Sequence, residues 1–579
     1  MKKKVADQLV EMLVKAGVKR IYAITGDSLN ELNDAVRRNT DLQWVHVRNE
    51  EAGAFAASAE AQLNGIACCG GSSGPGHVHR VNGLYDAHRA GAPVIAIAST
   101  CATKEFGSIY FQETNVIKLF DDCSHYNQIA CTPMQLPRMA QAAIQTAIHR
   151  KGVAVIGFPG DVAGLPAVDI DSAQENYFCK ANICPVDEEL QALADLINRH
   201  TKICIFCGIG ASEAHDEVVE LAATLQAPVG YSFRGKMAIQ HNNPYQVGMT
   251  GLLGLPSAYH SMHESDLVLL LGTDFPYTPF YPHDKAIVQI DNQPDRLGRR
   301  AKLTMGLYGD IKTTVKALLP LLTKKTDSSF LDAQLFVHEK VQEHLQIYVK
   351  DKGKVNALHP EAVAAELDRL AAEDAIFTCD TGMCNVWSAR YITANGKREM
   401  IGSFIHGSMA NAMPHAIGAA FARPDRQVVA MCGDGGISML LGDLATIKQY
   451  NLPIKIIVFN NRALGMVKLE MEVMGLPDFQ VDMVDPDFAQ VAVAMGIKGI
   501  TISDPEKLEE GMREAFNYQG PVLVNAMTDG TALAMPPKIE MKMVKGMALS
   551  MTKMMLGGNF EEVLDTVKNN YKHMKEMTD

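Results

Sequence analysis

Short apolar runs alternate with amphipathic helical patterns along almost the whole chain. Strands that alternate with helices in this way form parallel sheets that helices cover on both faces. A chain of 579 residues is also too long for one compact core. We therefore predict an α/β fold class with several doubly wound parallel sheets. The apolar runs are Arg20–Ile24, Val94–Ala98, Val153–Phe158, Ile203–Cys207, Leu267–Leu271, Ile287–Ile290, Ala375–Thr378, Val428–Cys432, Ile454–Phe459 and Val522–Asn525.

Two polar stretches, Asp169–Pro185 and Lys324–Ser329, separate three blocks of about one domain each. We therefore predict domains at residues 1–182, 183–335 and 336–530, followed by a C-terminal tail at residues 531–579.

Composition excludes some classes of protein. The formal net charge of −12 argues against a nucleic-acid partner, which needs a basic face. The 12 cysteines are scattered, and the lone pair Cys204 and Cys207 lies in an apolar run. We interpret them as reduced core thiols of a cytoplasmic protein. No apolar run reaches the ~20 residues of a membrane-spanning helix, and the N-terminus lacks the apolar region of a signal peptide.

A candidate phosphate and metal site follows two apolar runs of the third block. Val428–Cys432 leads into Gly433-Asp434-Gly435-Gly436, and Ile454–Phe459 ends in Asn460-Asn461. Both motifs fall at carboxyl ends of strands, where open α/β sheets bind ligands. Glycines let the backbone approach a phosphate, while Asp434 and Asn461 offer hard oxygen ligands for Mg²⁺. A lone Gly-Asp-Gly is an ordinary turn sequence, but the two motifs at this spacing are specific.

These motifs, together with the loop-like segment Gly402–Pro414, resemble the thiamine diphosphate (ThDP) enzyme superfamily. The resemblance implies that Asp434, the side chain of Asn461 and the carbonyl of Ala463 hold Mg²⁺. It also implies that Met409 wedges between the two rings of the bent cofactor; by itself Met409 would be interpreted as core filler. The cofactor-binding residues that it implies in this block are His406, Gly407, Ser408, Met409, Gly433, Asp434, Gly435, Gly436, Asn461, Leu464, Gly465 and Met466.

Glu50 is the candidate activator of the cofactor. ThDP chemistry needs a buried carboxylate that exchanges a proton with the pyrimidine ring. The segment Asn49–Ala57 resembles the superfamily's activator motif, and the match selects Glu50 rather than Glu51. The alternative is that Glu50 is only a helix-capping residue. Close relatives usually carry His before this Glu, whereas this chain has Asn49, to which we assign no base chemistry.

Two further segments of the first block resemble site loops of the family. Gly71–Gly76 resembles the loop beside the thiazolium ring, which implicates Gly74 in cofactor binding. Tyr110–Glu113 resembles the oxidase segment in which Phe111 and Gln112 face the substrate. In the family the activator Glu and the diphosphate domain come from different subunits, so the resemblance implies at least a homodimer, and the nearest relatives form tetramers.

The middle block carries a second nucleotide-type pattern. Gly208-Ile209-Gly210 follows an apolar run but lacks the third glycine of a dinucleotide fingerprint, so alone it is weak. Several segments resemble the FAD domain of pyruvate oxidases, although a degenerate domain without cofactor is the alternative. The FAD-binding residues that this resemblance implies are Arg234, Thr250, Gly251, Leu252, Leu253, Thr273, Asp274, Phe275, Pro276, Tyr277, Asp291 and Asp310.

The whole chain resembles the quinone-dependent pyruvate oxidases of bacteria. That resemblance implies oxidative decarboxylation of pyruvate to acetate and CO₂ through a hydroxyethyl adduct of ThDP, with electrons passing to FAD and then to a membrane quinone. Relatives often have Phe where this chain has Met466, which bears on electron transfer. The rivals are an O₂-using pyruvate oxidase, a carboligase similar to acetohydroxyacid synthase, and a catalytically inactive membrane-associated binding protein.

The C-terminal tail has an amphipathic pattern. Its apolar residues recur at helical spacing on one face: Phe560, Val563, Leu564, Val567 and Tyr571. A terminal helix docked on its own protein is the alternative. By resemblance we predict reversible, peripheral binding of this tail to lipid at the inner face of the cell membrane.

Overall fold

The structure is a computed structural model and describes residues 2–173, 175–532, 547, 549–551 and 553. Within these residues the chain forms three six-stranded sheets and one two-stranded pair. Every strand pairing within the three large sheets is parallel. The predicted α/β class with several parallel sheets is confirmed. The amphipathic pattern from Phe560 to Tyr571 lies outside the described residues.

The first domain contains the elements from Val5 to Ala163. Its strands are β1 (Arg20–Ala23), β2 (Gln43–His46), β3 (Ala67–Gly71), β4 (Val94–Thr100), β5 (Tyr126–Ile129) and β6 (Val153–Pro159), in the order β2-β1-β3-β4-β6-β5. Its helices are α1 (Val5–Lys15), α2 (Asn30–Arg38), α3 (Glu50–Asn64), α4 (Pro75–His79), α5 (Val81–Ala90), α6 (Val116–Leu119), α7 (Leu136–Arg150) and α8 (Gly160–Ala163).

The middle domain contains the elements from Asp187 to Leu318. Its strands are β7 (Ile203–Cys207), β8 (Val229–Tyr231), β9 (Gln246–Met249), β10 (Leu267–Leu271), β11 (Ala286–Asp291) and β12 (Met305–Tyr308). Their order is β12-β11-β10-β7-β8-β9, which is the strand order of dinucleotide-binding sheets. The helices are α9 (Asp187–Arg199), α10 (His215–Leu225), α11 (Lys236–Ile239), α12 (Pro256–Glu264) and α13 (Ile311–Leu318).

The long helix α14 (Ser329–Asp351) and the hairpin of β13 (Gly353–Lys354) and β14 (Ala357–Leu358) lead into the third domain, which contains the elements from Pro360 to Met527. Its strands are β15 (Ile376–Cys379), β16 (Glu399–Gly402), β17 (Val428–Gly433), β18 (Lys455–Asn460), β19 (Lys498–Ile502) and β20 (Val522–Met527), in the order β16-β15-β17-β18-β20-β19. Its helices are α15 (Pro360–Leu370), α16 (Met383–Tyr391), α17 (Ala412–Ala422), α18 (Asp434–Met439), α19 (Leu444–Gln449), α20 (Gly465–Val473), α21 (Phe488–Ala494) and α22 (Leu508–Asn517).

Central strands of the sheets read as continuous apolar runs because helices cover both of their faces. β4, β7 and β10 are buried along their whole length. Cys204 and Cys207 are buried in β7, in agreement with their interpretation as core thiols.

Each large sheet reverses its strand order between two interior strands: between β1 and β3, between β7 and β10, and between β15 and β17. Ligands of open α/β sheets bind outside the carboxyl ends of the strands at such points. The Gly71–Gly76 loop, the Gly272–Tyr277 loop and the Gly433–Gly436 loop each follow one of these strands. The fold therefore places three of the predicted site loops where this architecture binds ligands.

The first and third domains share a hydrophobic core. Helix α3, which is rich in alanine, packs on α17, and residues of both helices belong to one buried cluster. The approach is close because Gly418 of α17 lies against the carbonyl of Ala56 in α3. This contact fixes the first domain against the third domain of the same chain.

Candidate active site

One large cavity joins the middle domain to the third domain. Its volume is about 1050 Å³, at the upper end of the size of ligand sites in proteins. Residues that follow β7 and β10 line one end, and residues that follow β15, β17 and β18 line the other. Loops that follow the reversal points of two different sheets therefore line the same cavity.

Three oxygen positions converge at the third-domain end of the cavity. The side-chain oxygen of Asn461 lies 2.8 Å from the carbonyl oxygen of Ala463 and 3.3 Å from Oδ1 of Asp434. Turning the amide would let its NH₂ group donate to both, and a cation between the three oxygens would equally remove their repulsion. The backbone NH of Ala463 donates to the same oxygen at 3.3 Å, which favours the present orientation. This donor set fits Mg²⁺, which prefers hard oxygen ligands.

Asp434 is the charged member of this set. It is the first residue of α18 and is buried, and burial raises the pKa of its carboxyl group to about 6. A nearby cation would offset the cost of the buried negative charge. Among the described residues, no group of three or more His, Cys, Asp and Glu side chains could hold a metal. A single carboxylate suits an ion whose other ligands are diphosphate oxygens.

A second buried carboxylate, Asp380, joins the two loops of the third domain. It follows β15; its Oδ1 accepts from the backbone NH of Ala412 at 2.9 Å and its Oδ2 from that of Gly433 at 3.3 Å. Burial raises its pKa to about 6. A side chain at Gly436 would overlap the Asp380 carboxylate, so this position requires glycine. Asp380 thus fixes the Gly433–Gly436 loop relative to the start of α17.

The middle-domain end of the cavity combines an unpartnered hydroxyl with a partly buried cation. Among the described residues, the buried hydroxyl of Thr250 has no hydrogen-bonding partner, and the same holds for the hydroxyl of Thr381 and Oδ1 of Asn385, which follow β15 at the third-domain end. Burying a polar atom without a hydrogen bond lowers the stability of the fold, unless a ligand supplies the missing partner. Arg234 donates to the carbonyl of Ala90 at 2.8 Å, and burial lowers its pKa to about 10. This end therefore fits a polar, anionic ligand.

Glu50 lies outside the cavity, in the first domain. It is the first residue of α3, but the cap of this helix is Asn49, whose side chain accepts from the NH of Glu51 at 2.9 Å. The helix therefore does not need Glu50 as its cap. The Glu50 side chain is 7% exposed, and its Oε2 lies 3.0 Å from Nδ1 of His79. The carboxylate is buried, held by one histidine and available for chemistry.

Gly74, Phe111 and Gln112 lie in loops beside Glu50. The hydroxyl of Ser73 donates to the carbonyl of Gln112 at 2.6 Å, and a side chain at Gly74 (φ 75°) would come within 2.9 Å of Gln112. Gln112 itself has φ 61°, a conformation that non-glycine residues adopt rarely and often at functional sites. Phe111 is 75% exposed. Of the predicted substrate-facing pair, Phe111 therefore points away from the core of its own chain, whereas Gln112 is partly buried.

The predicted site residues thus divide into two groups. The residues that line the cavity are Arg234, Thr250, Leu252, Leu253, Thr273, Asp274, Phe275, Pro276, Tyr277, Gly407, Met409, Gly433, Asp434, Gly435, Gly436, Asn461, Ala463, Leu464, Gly465 and Met466. Those that are not among its described lining residues are Glu50, Gly74, Phe111, Gln112, Gly251, Asp291, Asp310, His406 and Ser408.

Several members of the second group have clear roles in shaping loops. The Asp310 carboxylate accepts from the backbone NH of Ile183 at 2.7 Å, and that of Asp291 accepts from Gln293 at 3.0 Å. Gly251 lies between two cavity residues with φ 108°. These residues position the middle-domain loops in the described structure.

Three site residues were not named from the sequence. Asp380 follows β15, so the rule that selects strand ends would have found it. Glu470 lines the cavity one helical turn after Met466 on α20. His79, the partner of Glu50, is identified only by the folded contact.

A few described residues of the C-terminal segment lie at the cavity. Met547 and Met551 line it, while Ser550 donates to the carbonyl of Leu476 at 3.0 Å and Lys553 to that of Gly475 at 2.8 Å. Among the described residues, no helix is both long and apolar enough to cross a membrane.

The fold and this site define a class: an α/β protein of three parallel-sheet domains, with a cluster of oxygen donors beside a glycine-rich segment in the third. Three segments match domains of thiamine pyrophosphate (ThDP) enzymes. Residues 3–120 match the N-terminal TPP binding domain, residues 190–318 the central domain, and residues 380–526 the C-terminal TPP binding domain.

Similarity to individual proteins extends over nearly the whole chain. It is 35% identical over 548 residues to the putative thiamine pyrophosphate-containing protein YdaP of Bacillus subtilis, covering 94% of this chain and 95% of that protein. It is 30% identical over 533 residues to the pyruvate oxidase of Lactiplantibacillus plantarum, covering 90% and 88%. It is 28% identical over 561 residues to the probable acetolactate synthase large subunit of Methanococcus aeolicus, covering 92% and 93%. The chain belongs to the thiamine pyrophosphate enzyme family.

Proposed function

We propose that the protein oxidatively decarboxylates pyruvate to acetate and CO₂ with ThDP, Mg²⁺ and FAD, and that a membrane quinone accepts the electrons. The observation that carries this proposal is the single cavity shared by the flavin-type loops and the Asp434 set. Oxidation of a decarboxylated substrate needs a redox cofactor close to the reacting carbon, and this cavity extends from the flavin-type loops to the Asp434 set. The similarity to a pyruvate oxidase supports the same substrate.

At the third-domain end, Asp434, Asn461 and Ala463 hold Mg²⁺ and the Gly433–Gly436 loop lies against the diphosphate. Met409 and the carbonyls of Gly407 and Met466 orient the thiamine rings. Bound ThDP supplies an electron sink that lets a 2-oxo acid lose CO₂.

At the middle-domain end, Arg234 provides positive charge to a flavin diphosphate, and Thr250 supplies a hydroxyl that lacks a partner among the described residues. The loop Thr273–Tyr277 forms the wall beside them. Asp291 and Asp310 act here by holding loops, through the backbone bonds described above.

Glu50 would hold the proton that the pyrimidine ring of bound ThDP exchanges, and His79, 3.0 Å away, orients its carboxylate. Because Glu50 lies outside the cavity of its own chain, it serves the cofactor of a second copy. Phe111 and Gln112 then face the substrate from the same copy as Glu50. The active unit is a homodimer, and from the family resemblance the assembly is a homotetramer.

The C-terminal tail is the segment that we propose brings the protein to the membrane and its quinone. The amphipathic pattern from Phe560 to Tyr571 supports reversible binding to lipid at the inner face of the membrane. Loss of lipid binding in a chain truncated before Phe560, measured by vesicle flotation, is the expected result, and unchanged binding would contradict it.

The proposal is tested anaerobically with purified protein, ThDP, Mg²⁺, FAD and pyruvate, while the absorbance of the flavin is followed. We expect the flavin to bleach and a quinone analogue to restore it. Release of CO₂ with an unbleached flavin, and acetolactate as product, would instead support the carboligase alternative. The similarity to acetolactate synthases suggests acetolactate as the product of that alternative. If O₂ restores the flavin absorbance as fast as the quinone analogue does, O₂ rather than a quinone is the electron acceptor.

A further inference from the structure

Helix α5 of the first domain contacts the loop that carries Met409 in the third domain of the same chain. Nδ2 of Asn82 donates to the hydroxyl of Ser408 at 2.8 Å, and its Oδ1 lies 2.8 Å from Nε2 of His406. One turn later on α5, Asp86 reaches α17, the helix that follows this loop. A domain other than the one that holds the diphosphate therefore supports the Gly402–Asn411 loop.

The contact between Asp86 and α17 is made through a buried histidine. Nε2 of His415 lies 3.1 Å from Oδ2 of Asp86, and its Nδ1 lies 3.0 Å from Oδ1 of Asn411. Ser58 donates to the same Asp86 oxygen at 3.2 Å. His415 and Asn411 are 0% exposed and Asp86 is 1% exposed. Groups buried to this extent must satisfy one another.

The neighbours of Asn411 determine which way its amide points. Its Nδ2 donates to the carbonyl of Ser408 at 2.7 Å, and its Oδ1 accepts from the NH of Ser403 at 3.2 Å. Its Oδ1 is thus an acceptor, so Nδ1 of His415 must carry a proton to bond it. The other proton of the pair lies between Nε2 and Asp86, on either atom. In both arrangements His415 donates to Asn411.

We propose that Asp86 and His415 are positioning residues for ThDP. They hold Asn411, which bonds Ser403 and Ser408 on either side of Gly407, and so fix the loop that presents Gly407 and Met409 to the cofactor. The inference rests on the proposed placement of ThDP against this loop. The first domain then shapes the cofactor site of its own chain and also supplies Glu50 to the site of a partner.

Isothermal titration calorimetry of the full chain with ThDP at saturating Mg²⁺ measures the effect without turnover. His415→Leu leaves Asp86 and Asn411 without their buried donor, so we expect the Kd for ThDP to rise on the order of tenfold. Asp86→Asn can donate to Nε2 and leave the Nδ1 proton on His415, so we expect its Kd to stay within about threefold of wild type.

The matched control is His338→Leu. His338 is also a buried histidine with two hydrogen-bonding neighbours, Gln246 and Ser257, and both of these belong to the middle domain rather than to the Gly402–Asn411 loop. Its loss should lower stability in a comparable way and leave the Kd for ThDP unchanged. Weakening in both His415→Leu and His338→Leu would attribute the effect to general destabilisation and overturn the inference, as would a His415→Leu protein that binds ThDP as tightly as wild type.

If His415→Leu does not fold, His415→Gln is studied by hydrogen exchange of the apoprotein. Gln can donate to Asn411 or to Asp86 but cannot span both, so we expect faster exchange confined to residues 402–411. Unchanged protection there would overturn the inference. A wild-type chain that fails to bind ThDP would contradict both proposals, whereas one that binds ThDP and leaves pyruvate intact contradicts the proposed function alone.

Discussion

Asp434 and Glu50 are both buried carboxylates at the first residue of a helix that follows a parallel strand, but their surroundings differ. Asp434 faces a cavity that its own chain encloses, with Asn461 and Ala463 beside it. Glu50 faces His79 and adjoins a loop in which Ile109 is 95% exposed and Phe111 75% exposed. In the proposed function, the carboxylate of the third domain is thus completed within one chain, whereas that of the first domain serves a second chain.

The largest expected effect follows from replacing the carboxylate of the first domain. Glu50→Gln keeps the shape of the side chain but cannot exchange a proton, so we expect kcat for pyruvate to fall by about 10²- to 10⁴-fold. The control is Glu51→Gln, which still accepts from Asn82 as Glu51 does at 2.7 Å. Steady-state kinetics with both variants checks the prediction, and equal effects would remove the special role of Glu50.

Mixed subunits test whether the two carboxylates act across chains. Glu50→Gln and Asp434→Asn chains are each expected to be inactive alone. Co-refolded, half of the random dimers combine the two variants and have one intact site of two, so about a quarter of wild-type activity should return. Activity no higher than the sum of the separate variants would show that Glu50 serves its own chain, and the comparison would then fail.

A third test concerns a buried carboxyl group of the third domain, next to the cavity-lining Pro360. Glu361 on α15 is buried, its Oε2 has no partner among the described residues, and burial raises its pKa to about 7. The folded protein then holds a proton more tightly than the unfolded chain, so stability falls as the pH rises from about 4.5 to about 7. Glu361→Gln should remove this fall, which is on the order of 3 kcal/mol.

Thermal unfolding from pH 5 to pH 8 measures this difference as a Tm gap between wild type and Glu361→Gln that widens with pH. Glu366→Gln is the control on the same helix, since the Glu366 carboxylate, unlike that of Glu361, is paired with an arginine, Arg369, whose side chain is 48% exposed. A gap that does not change with pH would mean that Glu361 is ionised in the folded protein without cost.

The sequence allowed the central strands and the Asp434 motif to be predicted because both depend on local patterns. Each apolar run that we interpreted as a strand lies in one, within a residue or two. Strands such as β3, with the sequence Ala-Cys-Cys-Gly-Gly, lack the β-branched residues that mark a strand. The edge strands β5 and β19 are only partly buried and give a weak apolar signal.

The site was predictable to the extent that its residues follow strands or share a motif. His79 and His415 depend on contacts between distant segments, which no local spacing reveals. Asn49 illustrates the opposite case: it was noted only as a departure from relatives, and the structure gives it the capping role that had been weighed for Glu50. Tertiary contacts thus decided which of two adjacent polar residues is free for chemistry.

The smallest expected effect concerns the exposed segment beside Glu50. Ile109→Lys places a charge where we propose that a second copy covers the apolar surface, so the Kd for self-association should rise on the order of tenfold. Analytical ultracentrifugation over a dilution series measures it, with Phe336→Lys on α14, also exposed, as the control for added charge. If Ile109→Lys and wild type associate equally, the apolar loop is not part of the interface. A second copy would then have to approach Glu50 through a different surface.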